Sequence, residues 1–328
     1  MKNESNNLEL NRLSFSKISL FAESLTLFEK RYISKTLKPK KTDAFDYGSM
    51  VEAMIFRPEV VSQEYDTDIP KSISGKLGVF IEEMARLEAE NRKDYSDMPF
   101  IISDDEMYKS AYEKSEYKID LDLAVQYFKE ESSQEYFNYL LKDKKLKQVT
   151  LELWSKGLKQ AESFFNNSFT KDCFKPNGHV QLEVTWRHPL WPTMDFLSIL
   201  DYVEINHIEK TIYIKDLKTT SKSYEFFQDS IETYHYDWQG ALYVRAIESL
   251  LGKASQFINC KNYKIVYQIV VSETFYPFRS VIFELTEQTL YKATMATSEH
   301  ILNMKWHAET KQWDYSKETV KNNGVIKY

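Results

Sequence analysis

The sequence predicts an α/β fold, with a central mixed β-sheet that contains an antiparallel meander, flanking helices and a helical insertion. Three observations carry this expectation. Between about residue 179 and residue 220, apolar and polar residues alternate in three runs separated by turn-forming stretches. Two further alternating runs, NYKIVYQIVVSE and FRSVIFELT, come after a helical stretch. That order gives a mixed sheet with helices against it. Upstream of the meander, apolar residues instead recur at helical spacing.

Taken in order, the elements begin at Ser14–Tyr32 (SFSKISLFAESLTLFEKRY), an amphipathic helix with Ser14 or Ser16 as its N-cap. The basic, proline-interrupted stretch over 35–43 reads as a loop. Such charge runs mostly solvate a surface, and a DNA contact is the alternative reading. Asp46 to Phe56 forms a second helix, stopped by Pro58. Residues 75–168 hold several charged amphipathic helices, a lobe beside the sheet. The meander follows as HVQLEVTWR, a turn at HPLWPT, FLSILDYVEI, a turn at NHIEK, and TIYIKDLKTT. One helix is expected over about 224–251, and a last helix from near Glu287. The whole, 1–328, reads as one domain, with N-terminal helices at 13–74, the insertion at 75–168, and the sheet with its closing helices at 179–328.

The 328 residues can bury a sizeable core, and 8 Gly and 8 Pro leave little room for long disordered stretches. The polar residues 1–12 are expected to fray. A formal net charge of -6 argues against a protein coated in positive charge to hold nucleic acid, but not against a local basic groove. The two cysteines, Cys173 and Cys260, are far apart and in no metal-binding spacing, which argues against a disulfide framework and a Cys-ligated zinc site and excludes a four-cysteine iron–sulfur cluster. A reducing cytosol fits that usage. The first residues lack a signal-peptide pattern, and no apolar run reaches the roughly 18 residues needed to span a membrane.

Strand faces locate the candidate chemistry, because residues two apart share a face. In FLSILDYVEI one face carries Leu197, Ile199, Asp201, Val203 and Ile205, so Asp201 is a lone carboxylate in an apolar row. In TIYIKDLKTT one face carries Ile212, Ile214, Asp216 and Lys218. A buried lone carboxylate is costly unless it is paired or binds a cation. Two carboxylates and a lysine at one sheet edge suit a divalent metal such as Mg²⁺ or Mn²⁺. A structural Asp–Lys pair is the alternative for Asp216 and Lys218 taken alone. On the 46–56 helix, Gly48, Glu52 and Ile55 share a face, which sets Glu52 among small and apolar residues. On the later helix Tyr236, Gln239 and Tyr243 form one stripe, whose simplest reading is core packing. Glu183 lies on a polar strand face with Gln181 and Thr185, where solvation is the simplest reading.

The order GSMVE (48–52), Glu183, Asp201, DLKTT (216–220) and YHYDWQGALY (234–243) resembles the PD-(D/E)XK nuclease superfamily. It looks most like the RecE-like, lambda exonuclease-type branch of phages and prophages. The opening Ser-x-Ser helix, the VVSETFYPFRSVIFELT segment and QWDY (312–315) extend the similarity over roughly 14–60 and 180–315. The resemblance implies a restriction-endonuclease-like core and a Mg²⁺- or Mn²⁺-dependent deoxyribonuclease. Asp201, Asp216 and the Leu217 carbonyl would bind metal. Lys218 would orient or activate water and stabilise phosphate charge. Glu52 would complete the metal site where many relatives have His, and Glu183 is a further candidate ligand. Gln239 and Tyr243 would line the site. Tyr236, Thr219, Thr220, Ser14 and Ser16 are candidate DNA contacts. Relatives often carry basic residues just before the strand Asp; here that stretch is FLSIL. The implied activity is 5′→3′ digestion of duplex ends, beside a single-strand annealing recombination protein, in the bacterial host cytosol and in some relatives as a ring. An endonuclease, a single-strand nuclease and a catalytically silent DNA- or partner-binding protein are the competing readings.

Overall fold

The computed structural model describes residues 10–38, 43–67, 70, 72–93, 103–141 and 146–326. Residues 39–42 of the basic stretch, and 1–9 of the expected frayed start, lie outside the described residues. The chain divides into two compact units, Met1–Phe56 with Gly157–Tyr328, and Arg57–Lys156. Of the segment expected as an insertion, residues 75–156 fall in the second unit and 157–168 in the first.

The first unit opens with α1 (Phe15–Glu23), α2 (Leu25–Phe28), a π-helical turn over Glu29–Ile33, and α3 (Asp43–Phe56). The single helix expected over 14–32 is therefore broken, and the cause is Ser24. Its backbone is extended, and its hydroxyl accepts the Leu27 N–H at 3.2 Å, capping α2. The second unit holds α4 (Val61–Glu64), β1 (Tyr65–Asp66), α5 (Gly75–Lys93), α6 (Asp104–Ser115), α7 (Leu121–Phe128), α8 (Glu131–Leu141) and β2 (Lys147–Gln148), which pairs in parallel with β1. Phe80, Ile81, Met84, Met107, Ala111 and Phe128 form its core.

Helix α9 (Leu151–Asn166) leads into the sheet: β3 (His179–His188), β4 (Trp191–Asn206) and β5 (Thr211–Thr220). These are the three expected meander strands. The turn read at HPLWPT is shorter than expected, because β4 already begins at Trp191. A 3₁₀ turn at Tyr224–Phe226, α10 (Phe227–Thr233) and α11 (Tyr236–Leu250) replace the one helix expected over 224–251. The break falls at His235, whose φ of 55° is left-handed and whose ring stacks on Trp238 at 4.0 Å. Strands β6 (Lys264–Glu273) and β7 (Ser280–Glu284) and helices α12 (Glu287–Thr310) and α13 (Lys317–Lys321) complete the unit.

The sheet order is β3-β4-β5-β6-β7. Only the β5–β6 pair is parallel, so the sheet is mixed as expected. On one face α11 supplies Leu242, Ala246 and Ile247 to the core around Ile212, Ile214 and Ile269. On the other face Gln160 of α9, wholly buried, donates to Ser272 Oγ at 2.9 Å and accepts from Tyr47 of α3 at 2.8 Å. Those two bonds fix α9 and α3 to the sheet. A buried Glu204–Lys215 pair at 2.8 Å, joined by Lys175 at 2.8 Å, is satisfied away from Asp201 and Asp216. Among the described residues no helix is long and apolar enough to cross a membrane.

Gly240 sets how closely α11 approaches β6. A Cβ there would meet Tyr267 ring carbons at 2.5 and 2.7 Å. Gly240→Ala is therefore expected to destabilise the fold by about 1–3 kcal/mol through overpacking. Urea unfolding midpoints measure this, and an unchanged midpoint would mean the ring yields freely.

Candidate active site

The β4–β5 ladder ends at Tyr202–Lys215. Carried one step further, the register sets Asp201 opposite Asp216, where facing Cα atoms in antiparallel strands lie roughly 4.5–5.5 Å apart. Here the strands part. The free edge of β4 is taken instead by the N-terminal segment, with Leu13 N–H donating to the Asp195 carbonyl at 2.9 Å and Leu197 N–H to the Leu13 carbonyl at 2.7 Å. The parting leaves the Leu217 N–H in need of an acceptor. Asp201 Oδ2 provides it at 2.9 Å.

Asp201 does not sit in the uninterrupted apolar row that strict alternation predicts. Ile199 is 42% exposed, whereas Val203 is wholly buried. One core cluster takes both Leu200 and Val203 but not Tyr202. The alternation thus changes phase at Asp201. The β3 residue opposite, Gln181, has a left-handed φ of 51°, uncommon outside glycine. Both irregularities fall where the β4–β5 ladder stops, so the break in pairing and the change of phase are one feature.

Asp216 is wholly buried. It projects with Ile212 and Ile214 toward α11. Its Oδ2 contacts the Lys218 ammonium at 2.5 Å, and its Oδ1 accepts from Gln239 Nε2 at 3.1 Å. Gln239 also donates to the Tyr243 hydroxyl at 2.9 Å. The stripe of Tyr236, Gln239 and Tyr243 is therefore more than packing. Its middle member holds the carboxylate, and Tyr236 at the start of α11 lies under Lys218, with the ammonium 5.0 Å from its ring centroid. The break at His235 makes this placement, since it starts α11 at Tyr236.

Electrostatics follow from this burial. Desolvation first, then repulsion from Asp216 and Glu52, pushes the Asp201 carboxyl well above its ordinary value. Burial likewise raises Asp216, with Lys218 opposing. For Lys218, burial disfavours the ammonium, but Asp216 and Asp201 outweigh it and raise its pKa, so it is charged at neutral pH.

On the other side of the gap, Gly48 of α3 packs against β5. A Cβ there would come within 3.1 Å of Thr219 Oγ1. This close approach delivers Glu52, one turn on, to Gln181, whose Nε2 donates to Glu52 Oε1 at 2.6 Å. Sequence reasoning placed Gln181 on a solvated strand face and gave it no role. No periodicity could have exposed it, because its position depends on the β3–β4 register. Glu183 is exposed opposite Ile199, and among the described residues no hydrogen bond or ion pair ties it to Asp201, Asp216 or Lys218. Thr220 is buried, and its hydroxyl bonds the Lys222 backbone at 3.1 and 3.2 Å. Ser14 and Ser16 hydroxyls pair with each other at 3.0 Å; Ser14 holds the N-cap position of α1, but its side chain does not cap.

The donor chemistry suits a hard divalent cation. Asp201 and Asp216 offer carboxylate oxygens beside the Lys218 ammonium, and Glu52 acts on Asp201 electrostatically. Among the described residues, no three His, Cys, Asp or Glu side chains are already gathered as a metal cluster.

No family model matches the chain, and no curated protein matches it. Among solved structures, a candidate exonuclease from Eubacterium rectale is similar at 13% identity, with a TM-score of 0.49, over 100% of this chain and 96% of that one. The structure of SSO0001 is similar at 15% identity, with a TM-score of 0.25, over 73% of this chain and 95% of that one.

Proposed function

We propose that this chain is a metal-dependent deoxyribonuclease, acting as a 5′→3′ exonuclease on duplex ends. One observation carries the reading: Asp201, Asp216 and the charged Lys218 meet where β4 and β5 part. The polarity, the recombination setting, an annealing partner and a ring assembly come from the sequence resemblance.

Asp201, Asp216 and the Leu217 carbonyl would hold Mg²⁺ or Mn²⁺, with Glu52 beside them. Such a cation, when bound, generates a nucleophile from water at neutral pH and clamps phosphate oxygens. The protein's own groups do the rest. Gln239 fixes one oxygen of Asp216 and so sets the direction of the other. Lys218 is held as an ammonium by its two acids, so it serves as a cation facing phosphate charge and not as a base. Tyr236 backs that ammonium with its ring face.

The test is digestion of end-labelled linear duplex with Mn²⁺, comparing 5′- and 3′-protected ends with a closed circle. Loss of linear DNA only when 5′ ends are accessible is the expected result, with no cutting in EDTA. Cutting of the circle would replace the exonuclease by an endonuclease, and undiminished cutting in chelator would remove the metal.

A further inference from the structure

We propose that the loop between β6 and β7 is a stacking platform for an unpaired base of a DNA strand, with Tyr276 as the stacking ring. The inference deepens the nuclease reading and rests on it for the identity of the polymer.

Exposure is the first observation. Tyr276 is 85% exposed and its neighbour Phe275 is 37% exposed. Phe226, in the 3₁₀ turn after β5, is 60% exposed.

Stiffness is the second. An exposed ring on a slack loop would be unremarkable, but this loop is fastened at every turn. Glu273, wholly buried, accepts from Arg279 at 2.9 and 3.0 Å across the loop's base. The same carboxylate accepts the Tyr224 N–H at 2.9 Å, and Arg279 lies over the Tyr224 ring at 4.9 Å. Glu273 and Arg279 thus join the β6–β7 loop to the turn that carries Phe226. The loop's own backbone closes with Phe278 N–H on the Phe275 carbonyl at 2.7 Å and Glu273 N–H on the Arg279 carbonyl at 2.9 Å. Ser163 of α9 donates to the Pro277 and Phe278 carbonyls at 3.2 Å. Phe278 turns inward and is buried, while Tyr276 is held out.

Position is the third. Strands β5 and β6 run parallel and end together, Thr220 beside Glu273. Thr274 N–H donates to the Thr220 carbonyl at 2.8 Å. The loop therefore leaves the sheet at the edge where β5 ends two residues after Lys218. Ligands of open α/β sheets bind beyond the carboxyl ends of the strands. Lys222, exposed on the adjoining turn, supplies positive charge for a phosphate.

A flat ring on a fastened loop, with an exposed lysine on the adjoining turn, matches a nucleobase face attached to a phosphate chain. Stacking of this kind is tolerant of sequence and needs an unstacked base. A terminal or single-stranded nucleotide offers that face, and an intact duplex interior does not. The backbone that carries the ring is fastened before DNA arrives, so little loop-ordering entropy is lost on binding.

The experiment uses the full chain in EDTA and a fluorescein-labelled oligothymidylate, with affinity read by fluorescence anisotropy. Tyr276→Ala is expected to weaken binding about 5- to 150-fold, the range for loss of one base–aromatic stack. Tyr276→Phe and Tyr276→Trp should bind like the native chain, because the ring and not the hydroxyl is used. Thermal melts should be unchanged, since the side chain is outside the core. A closed-ended duplex hairpin should bind native and Tyr276→Ala proteins equally. Native-like oligothymidylate binding by Tyr276→Ala, or an equal loss in Tyr276→Phe, would overturn the platform. A parallel digestion with Mn²⁺ separates the two failures. If the native chain cuts DNA but Tyr276→Ala binds normally, the platform alone is wrong. If the native chain neither binds nor cuts DNA, both proposals are wrong.

Discussion

Lys218→Ala is expected to cut DNA at least about 100- to 1,000-fold more slowly than the native chain, the scale for removing one preorganised charge at a transition state. The argument is electrostatic. Phosphodiester cleavage builds negative charge on phosphate oxygens, and Lys218 is the ammonium the fold places beside both acids. Its side chain remains one-fifth exposed, so substrate can reach it. Arginine should not rescue, because its planar fork is larger than the ammonium that fits over Tyr236 and against Asp216. The loss should appear in kcat at saturating Mn²⁺, with a circular dichroism spectrum like the native one. Cleavage by Lys218→Ala within a few-fold of the native rate would dismiss Lys218 from the chemistry.

Periodicity set Asp216 and Lys218 at the end of an apolar row on β5, where a structural pair was the alternative reading; their chemical roles came from the family resemblance. What surrounds them was less readable, for physical reasons. Alternation assumes ladders on both edges, and β4 loses its ladder with β5 past Tyr202, so the row drawn through Ile199 and Asp201 was wrong for Ile199. Helical spacing could not reveal the breaks at Ser24 and His235. Each is a single-residue backbone choice, set by a cap in one case and a ring stack in the other. Gln181 and the Gly240–Tyr267 contact depend on register and on the approach of a helix to a strand, which no local pattern encodes. The Glu273–Arg279 pair that shapes the β6–β7 loop read only as part of a strand end.

Divalent metal is expected to stabilise this protein strongly, and the effect should vanish in Asp201→Asn. Without metal, the folded chain holds Asp201 with a pKa well above its unfolded value, because of burial and then the nearby Asp216 and Glu52 charges. The sign of the linkage follows from that direction. A carboxyl that is raised on folding contributes its full stability below its unfolded pKa of about 4, where it is protonated in both states. The contribution is lost as pH rises through the folded pKa. Metal-free native protein should therefore lose stability toward neutral pH relative to Asp201→Asn, which has no proton to release. A bound cation reverses the balance by favouring the ionised pair. At 100-fold excess over its dissociation constant it adds about 2.7 kcal/mol, or roughly 4 °C in melting temperature for a chain of this length. Protons and metal then compete for the same oxygens, so metal-dependent cleavage should also fall as pH is lowered. Melting curves across pH 5–8, with and without Mn²⁺, measure both halves. An equal Mn²⁺ shift in native protein and in Asp201→Asn would place the ion elsewhere, whereas a shift confined to the native chain ties it to the gap between β4 and β5.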